Sequence, residues 1–267
     1  MNHLMREIAP VPETAWAEID AEAARTLRHF LTARRIVDID GPSDWTKASV
    51  SRGRAEELTD SPTGTTAHVR TVQPLVEYRA EFSLARAELD AIERGALDPN
   101  LDAVRDAARQ LALAEDGAVF HGHSAAGIQG IAEATPHDRL PIDDDYRRYP
   151  STVAGAVAVL QSEGVAGPYA IALGPRCYTG VIETTEMGGY PLLEHLRLIS
   201  GGPLLWAPAV DGALVISTRG DDFKLTIGQD VSIGYLDHDA DQVRLYLEGS
   251  FAFTVLTPEA AVYLAYN

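Results

Sequence analysis

The sequence predicts an α+β fold, in which helices and an antiparallel sheet form from separate stretches of the chain. Two stretches, one near the N-terminus and one after Asn100, repeat apolar residues at the three- and four-residue steps of an amphipathic helix. From Phe223 onward the apolar residues recur at every second position, as in strands with one buried face. This change of period along 267 residues predicts the fold class.

The first unit, residues 1–44, is predicted to contain a long helix. One face of this helix carries Trp16, Ile19, Ala23, Leu27, Phe30 and Leu31. Pro12 and Glu13 suit its first turn, and Arg34 and Arg35 suit its last turn, where cations interact favourably with the helix dipole. The following stretch, IVDIDGP, predicts a short strand and a turn.

Residues 45–73 are polar, rich in threonine and serine, and interrupted by a turn signal at 60–64. They contain too few apolar residues to bury either face, so they predict a long exposed hairpin, or arm. An isolated two-stranded hairpin is only marginally stable in water. We therefore expect a neighbouring chain to complete the arm.

The remaining units follow from the same patterns. Residues 74–133 are expected to contain a strand, a short helix and a long alanine-rich helix that is capped by Asn100 and stops near Gly122. Residues 134–222 open with a polar linker and then alternate helices with strands. Residues 223–267 predict antiparallel strands followed by an apolar tail that is docked on the protein.

Composition excludes several classes of function. The formal net charge of −17 argues against binding to nucleic acids or to anionic lipid. A single cysteine, Cys177, permits no disulfide within the chain, and no apolar run approaches the roughly 18 residues of a membrane span. The N-terminus lacks the pattern of a signal peptide, so we expect a cytoplasmic protein, with non-classical release that needs no Sec signal as the alternative.

The stretch EDGAVFHGHSAAGIQGI, residues 115–131, is the main candidate for chemistry. Glu115, Asp116, His121 and His123 are potential metal ligands, but their spacing matches no familiar metal site. Its glycines are not followed by the lysine of a phosphate-binding loop, and Ser124 lacks the setting of a nucleophile elbow. We therefore predict neither a catalytic site nor a cofactor, with a hydrolase or a metal-dependent enzyme as the weaker alternative.

Seven blocks of the sequence occur in an order that is typical of one family. They are LMREIAPVPETAWAEID, ARRIVDIDGP, LDAIERGALDPNLD, AEDGAVFHGHSAAGIQGI, EGVAGPYAIALGPRCY, GGYPLLEHL and RGDDFKLTIGQDVSIGYLDHDADQVRLYLEGSFAFTV. Together they resemble the encapsulins, bacterial nanocompartment shell proteins that share the Hong Kong 97 phage capsid fold. The resemblance implies a peripheral domain (1–44, 74–133 with its spine helix, and 223–267), an extended E-loop (45–73) and an axial domain (134–222).

The resemblance also implies a function. Encapsulins assemble into hollow icosahedral shells that enclose enzymes carrying a C-terminal targeting peptide, commonly a dye-decolorising peroxidase or a ferritin-like iron-storage protein. The length of the chain favours the smallest, T=1, shell of sixty subunits. A phage major capsid protein of the same fold is the alternative; the intact N-terminal helix, without a long scaffolding-like extension, favours the shell.

Two sets of residues acquire roles from the resemblance. The cargo peptide is expected in an apolar groove between the N-terminal helix and the peripheral sheet. The matching positions are Leu27, Phe30, Leu31, Arg34, Asp38, Asp230, Val231 and Ile233. The loop EMGGYP is expected to line the five-fold pore through Met187, Gly188, Gly189 and Tyr190. Core packing is the simpler alternative for Leu27 and Ile233.

Overall fold

The helices and strands of the chain are given by a computed structural model, which describes residues 3–185 and 189–266. In these ranges the helices are α1 (Glu13–Phe30), α2 (Arg86–Glu93), α3 (Asp102–His121), α4 (Ile131–Ala134), α5 (Tyr149–Ser162), α6 (Pro175–Glu183) and α7 (Leu192–Ser200). The strands are β1 (Asp38–Asp40), β2 (Ser49–Glu57), β3 (His68–Pro74), β4 (Val76–Ala85), β5 (Leu140–Ile142), β6 (Tyr169–Leu173), β7 (Gly201–Trp206), β8 (Ala213–Ser217), β9 (Phe223–Ile227), β10 (Ser232–His238), β11 (Gln242–Val255) and β12 (Ala261–Tyr266). This mixture of separate helical and sheet regions confirms the predicted α+β class.

The first sheet supports the N-terminal helix. Its strands lie in the order β1-β9-β11-β10, and β4 also pairs with the long strand β11. Helices α1 and α3 pack on each other, and their apolar residues share one core with those of β4, β10 and β11. Phe223, Leu225 and Ile227 are buried and Lys224 is exposed, as the period of two predicts, but Thr226, which the same period places on the outer face, is buried as well.

The second sheet, in the order β5-β12-β8-β6-β7, packs against α5 and α7. Its strands β6 and β8 are buried at every residue, as expected for strands with covered faces. The C-terminal tail is docked as predicted, but it forms β12 inside this sheet, between β5 and β8. The predicted unit 223–267 therefore divides between the two sheets. The apolar tail AVYLAY suits an interior strand better than the edge of the first sheet.

The predicted arm is a hairpin of β2 and β3, which pair only with each other in the described part of the chain. The register of the two strands shifts between Ser51 and Ala55, where Gly53 adopts a positive φ of 67°. Extra residues of this kind twist and bend a hairpin. Most residues of the arm are exposed, which is consistent with a segment that meets another chain.

Two predicted helix ends need correction. Helix α1 ends at Phe30, so Arg34 and Arg35 lie in a separate 3-10 turn and not in its last turn. The Asp116 carboxylate accepts hydrogen bonds from the backbone nitrogens of the next segment and draws the chain away from the helix axis. The second correction concerns the start of α3, whose N-cap is Leu101 and not Asn100. Asn100 lies one residue earlier, and its side chain accepts a hydrogen bond from the Asp102 nitrogen, 3.1 Å away.

The glycines of residues 115–131 shape the turn that follows α3. Gly122 has a φ of 92°, and a Cβ added to Gly130 would lie 2.1 Å from the Gly122 nitrogen and 2.4 Å from the His121 carbonyl carbon. Both obstacles are backbone atoms that cannot rotate away. The close approach therefore requires glycine at position 130.

We expect Gly130→Ala to lower the free energy of unfolding by about 3 kcal/mol or more, because the added methyl group forces backbone displacement. Thermal and denaturant unfolding of the purified chain measure this change. Gly117→Ala is the matched control: its Cβ meets nothing within 4 Å, and it lies inside α3. It should stabilise the protein by up to about 1 kcal/mol, and equal effects for both variants would contradict the account.

Candidate functional site

A groove of about 490 Å³ runs beside the C-terminal half of α1. Its lining consists of Ala24, Leu27, Arg28, Leu31, Arg34, Arg35, Asp230 and Val231. The helix supplies one wall through residues three and four positions apart, which share a face. The connection between β9 and β10 supplies the other wall. The groove therefore joins an apolar floor to a charged rim.

Five of the eight residues predicted for a peptide groove come together here. They are Leu27, Leu31, Arg34, Asp230 and Val231. Sequence reasoning missed Ala24, Arg28 and Arg35. The helical step of three from Leu27 back to Ala24, and the step of four from Ala24 to Arg28, could have found the first two.

The other three predicted residues lie elsewhere. Ile233 is 4% exposed and belongs to the core beneath α1 and α3. Phe30 lies on the opposite flank of α1, with its ring centroid 5.4 Å from that of Trp206. Asp38 lies in β1, where its carboxylate accepts a hydrogen bond from the Asp221 nitrogen. Since successive helical residues are about 100° apart, Phe30 and Leu31 point to different sides.

Arg34 fixes the wall of the groove through two carboxylates. Its guanidinium donates to both oxygens of Glu115, at 2.6 and 2.8 Å, and to Asp230 at 2.7 Å. Burial disfavours the charged guanidinium, but the hydrogen bonds and charges of Glu115 and Asp230 outweigh burial and raise the pKa of Arg34 above its ordinary value. The residue thus links the end of α1, helix α3 and the β9–β10 connection.

Asp116 anchors the segment that follows α1 from the interior of the subunit. It is fully buried, and its carboxylate accepts hydrogen bonds from the nitrogens of Thr32, at 2.8 Å, and Ala33, at 3.2 Å. Burial raises the pKa of Asp116 to about 8, although these two hydrogen bonds act in the opposite direction. The two carboxylates that were considered as metal ligands therefore anchor the chain as it leaves α1.

The candidate metal ligands do not converge. Glu115 bonds Arg34, Asp116 bonds the backbone, and His123 shares a hydrogen bond of 2.6 Å with the Tyr78 hydroxyl. Within residues 3–185 and 189–266, no three histidine, cysteine, aspartate or glutamate side chains are grouped so that they could hold a metal ion. The same described ranges contain no helix long and apolar enough to cross a membrane.

We expect Glu115→Gln to reduce the free energy of unfolding by about 3 kcal/mol, because it leaves a largely buried guanidinium with one exposed carboxylate partner. Chemical denaturation with far-ultraviolet circular dichroism measures the loss. Glu18→Gln removes the same charge from an exposed position on α1 and should change stability by less than about 0.5 kcal/mol. A Glu115→Gln protein as stable as this control would show that the ion pair does not anchor the segment.

The predicted pore residues are only partly described. Met187 and Gly188 lie outside the described residues. Gly189 adopts a positive φ of 78°, and Tyr190 is 45% exposed, in the connection between α6 and α7. An exposed tyrosine beside a glycine with this φ is compatible with a loop at a crowded symmetry axis.

Comparison with known proteins identifies the family. The profile of the family described as "Encapsulating protein for peroxidase" matches residues 1–252. The type 1 encapsulin shell protein of Rhodospirillum rubrum is 52% identical over 268 aligned residues, which cover 98% of this chain and 96% of that protein. The chain belongs to the encapsulin shell-protein family.

Solved structures confirm the predicted fold of this encapsulin family member. A virus-like particle from Pyrococcus furiosus matches with a TM-score of 0.66 at 15% identity, over 92% of this chain and 98% of that one. The capsid of the myovirus XM1 matches with a TM-score of 0.53 at 13% identity, over 89% of this chain and 92% of that one. The fold is therefore that of the Hong Kong 97-like capsid proteins.

Proposed function

We propose that this encapsulin assembles into a hollow T=1 icosahedral shell of sixty identical subunits in the cytoplasm. The shell encloses an enzyme that carries a C-terminal targeting peptide, and the peptide binds in the groove beside α1. The chain acts as a container, with no catalytic activity, cofactor or bound nucleic acid of its own. The groove is the observation that carries this proposal, because its apolar floor and charged rim suit an extended peptide with apolar side chains.

The composition of the groove supports a short peptide more than a rigid small molecule. Leu27, Leu31 and Val231 present apolar surface, while Arg28 and Arg35 stand at the rim. Apolar side chains of a peptide bind such a floor through burial, and the rim offers charges that fix its direction. Arg34 is already engaged with Glu115 and Asp230, so its role is to hold the groove in shape.

The arm supports assembly. Its Val69 and Val72 are 49% and 51% exposed, and both strands leave edges unpaired in the described chain. Exposed strand edges with apolar side chains favour pairing with another chain. A second copy of the chain is the partner that a closed shell provides.

The description of the matching family names a peroxidase, which favours a dye-decolorising peroxidase as cargo over a ferritin-like protein. We further propose that Gly189 and Tyr190 line the pore at the five-fold axis. A phage major capsid protein is the alternative function. The relatives named as encapsulin shell proteins reach 52% identity, whereas the phage capsid shares 13%, and this favours the compartment.

Co-expression tests the proposal. The chain is produced with a fluorescent protein that carries the C-terminal tail of a dye-decolorising peroxidase, and with the same fluorescent protein without a tail. We expect only the tailed reporter to co-purify with particles that contain no DNA. Particles filled with DNA would favour the capsid alternative, and equal recovery of both reporters would contradict recognition through the tail.

A further inference from the structure

The arm contains one buried residue, and it is polar. Among residues 45–73, all of which are described, only Gln73 is buried, with 4% exposure. It lies near the end of β3, where the arm joins the first sheet. A buried amide costs free energy unless its donor and acceptor are both bonded, so its partners indicate its role.

Both ends of the Gln73 amide are bonded. Its Oε1 accepts a hydrogen bond of 2.9 Å from Arg52, which lies in the irregular part of β2. Its Nε2 donates a hydrogen bond of 3.2 Å to the Gly127 carbonyl oxygen. Gln73 therefore connects the two strands of the arm to the loop that follows α3. We call the three hydrogen-bonded residues Arg52, Gln73 and Gly127 the arm brace.

The loop on the far side of the brace is itself fixed. His123 and Ile128 exchange backbone hydrogen bonds across it, at 2.9 and 3.1 Å. The Tyr78 hydroxyl, on the strand that follows the arm, bonds His123 at 2.6 Å. The close approach at Gly130 fixes where the loop can lie. The brace thus ties the arm to a loop that backbone and side-chain hydrogen bonds hold against the fold.

The N-terminal end of the arm is held by different contacts. Trp45 stacks on His3, with 4.6 Å between ring centroids, and the Leu75 nitrogen donates to the Ala48 carbonyl oxygen at 3.0 Å. These contacts fix where the arm begins and close its base. Beyond this base, and among residues 3–185 and 189–266, the two strands bond only to each other and, through Gln73, to the loop.

We propose that the arm brace sets the direction in which the arm leaves the subunit and so restricts the shell to a single size. This inference rests on the proposed assembly into a shell. An apolar residue could fill the site of Gln73, but a buried amide with both ends bonded is satisfied in only one arrangement. Because every subunit inserts its arm at the same angle, all contacts between subunits share one curvature.

The test compares three variants by electron microscopy and native mass spectrometry of purified particles. Gln73→Leu keeps the bulk of the side chain and removes both hydrogen bonds. We expect closed particles of more than one diameter, or open fragments, where the unchanged chain gives a single diameter. Gln161→Leu makes the same chemical change at an exposed position of α5 and should keep that single diameter.

Arg52→Ala keeps the test decisive if Gln73→Leu fails to fold. It removes one hydrogen bond from an exposed side chain and leaves Gln73 in place, so it should broaden the distribution of diameters to a smaller extent. If Gln73→Leu folds and gives uniform particles of unchanged diameter, the proposed role of the arm brace is wrong. If Gln73→Leu does not fold, the same result from Arg52→Ala leads to the same conclusion. If the unchanged chain forms no particles, the proposed function itself fails, which is a different outcome.

Discussion

A chain that lacks residues 48–70 is expected to fold and to form no closed shell. The arm is a separate sheet, so its loss removes no strand from the two sheets that carry the core. The deletion joins Lys47 to Thr71, and the remaining residues 71–74 span the base of the arm, which is narrow because the Leu75 nitrogen donates to the Ala48 carbonyl oxygen there at 3.0 Å. The deletion therefore removes intersubunit contacts with little cost to the subunit.

Size-exclusion chromatography and negative-stain electron microscopy measure assembly, and circular dichroism measures folding. A variant with a glycine-serine turn in place of residues 61–65 keeps both strands and should still form particles. Full-sized particles from the deletion variant would show that the arm does not join the subunits. An unfolded deletion variant would instead show that the arm supports its own subunit.

Leu27→Glu is expected to leave the shell intact and to abolish cargo loading. Leu27 lies on the floor of the groove and is only partly buried in the subunit, so the fold tolerates a charge there. Burying one leucine-sized side chain of a peptide contributes about 1.5–3 kcal/mol, which is roughly a tenfold to hundredfold change in affinity. A carboxylate on the floor removes this contribution and adds a desolvation cost.

The ratio of tailed reporter to shell protein in purified particles measures loading. Leu97→Glu makes the same change at a residue that is 99% exposed, and should load normally. Normal loading of Leu27→Glu would mean that the peptide binds elsewhere. Ile233→Asp is not suitable for this experiment, because Ile233 is 4% exposed in the core and a charge there is expected to unfold the subunit.

The regular elements could be predicted because their causes are local. Apolar residues at helical steps locate α1 and α3, and alternation from Phe223 locates the strands of the first sheet. The polar composition of residues 45–73 predicts an exposed hairpin, since it cannot supply a core. Family resemblance, rather than periodicity, gave the capsid fold and the position of the groove.

What the sequence did not reveal depends on contacts between distant residues. Ile233 has the same apolar character as Val231, and only the packing of α1 decides which of them faces the core. The position of β12 between β5 and β8 requires a chain reversal that no local pattern encodes. Gln73 is a single polar residue in a polar segment, and its burial became evident only from its contact with Gly127.

The central claim is that many copies of this chain close into a hollow compartment. Cryo-electron microscopy of the chain, purified without cargo, tests it most directly. We expect closed particles of one diameter with icosahedral symmetry, sixty subunits, an empty interior and each arm in contact with a neighbouring subunit. Monomers or small open oligomers at the same protein concentration would contradict it.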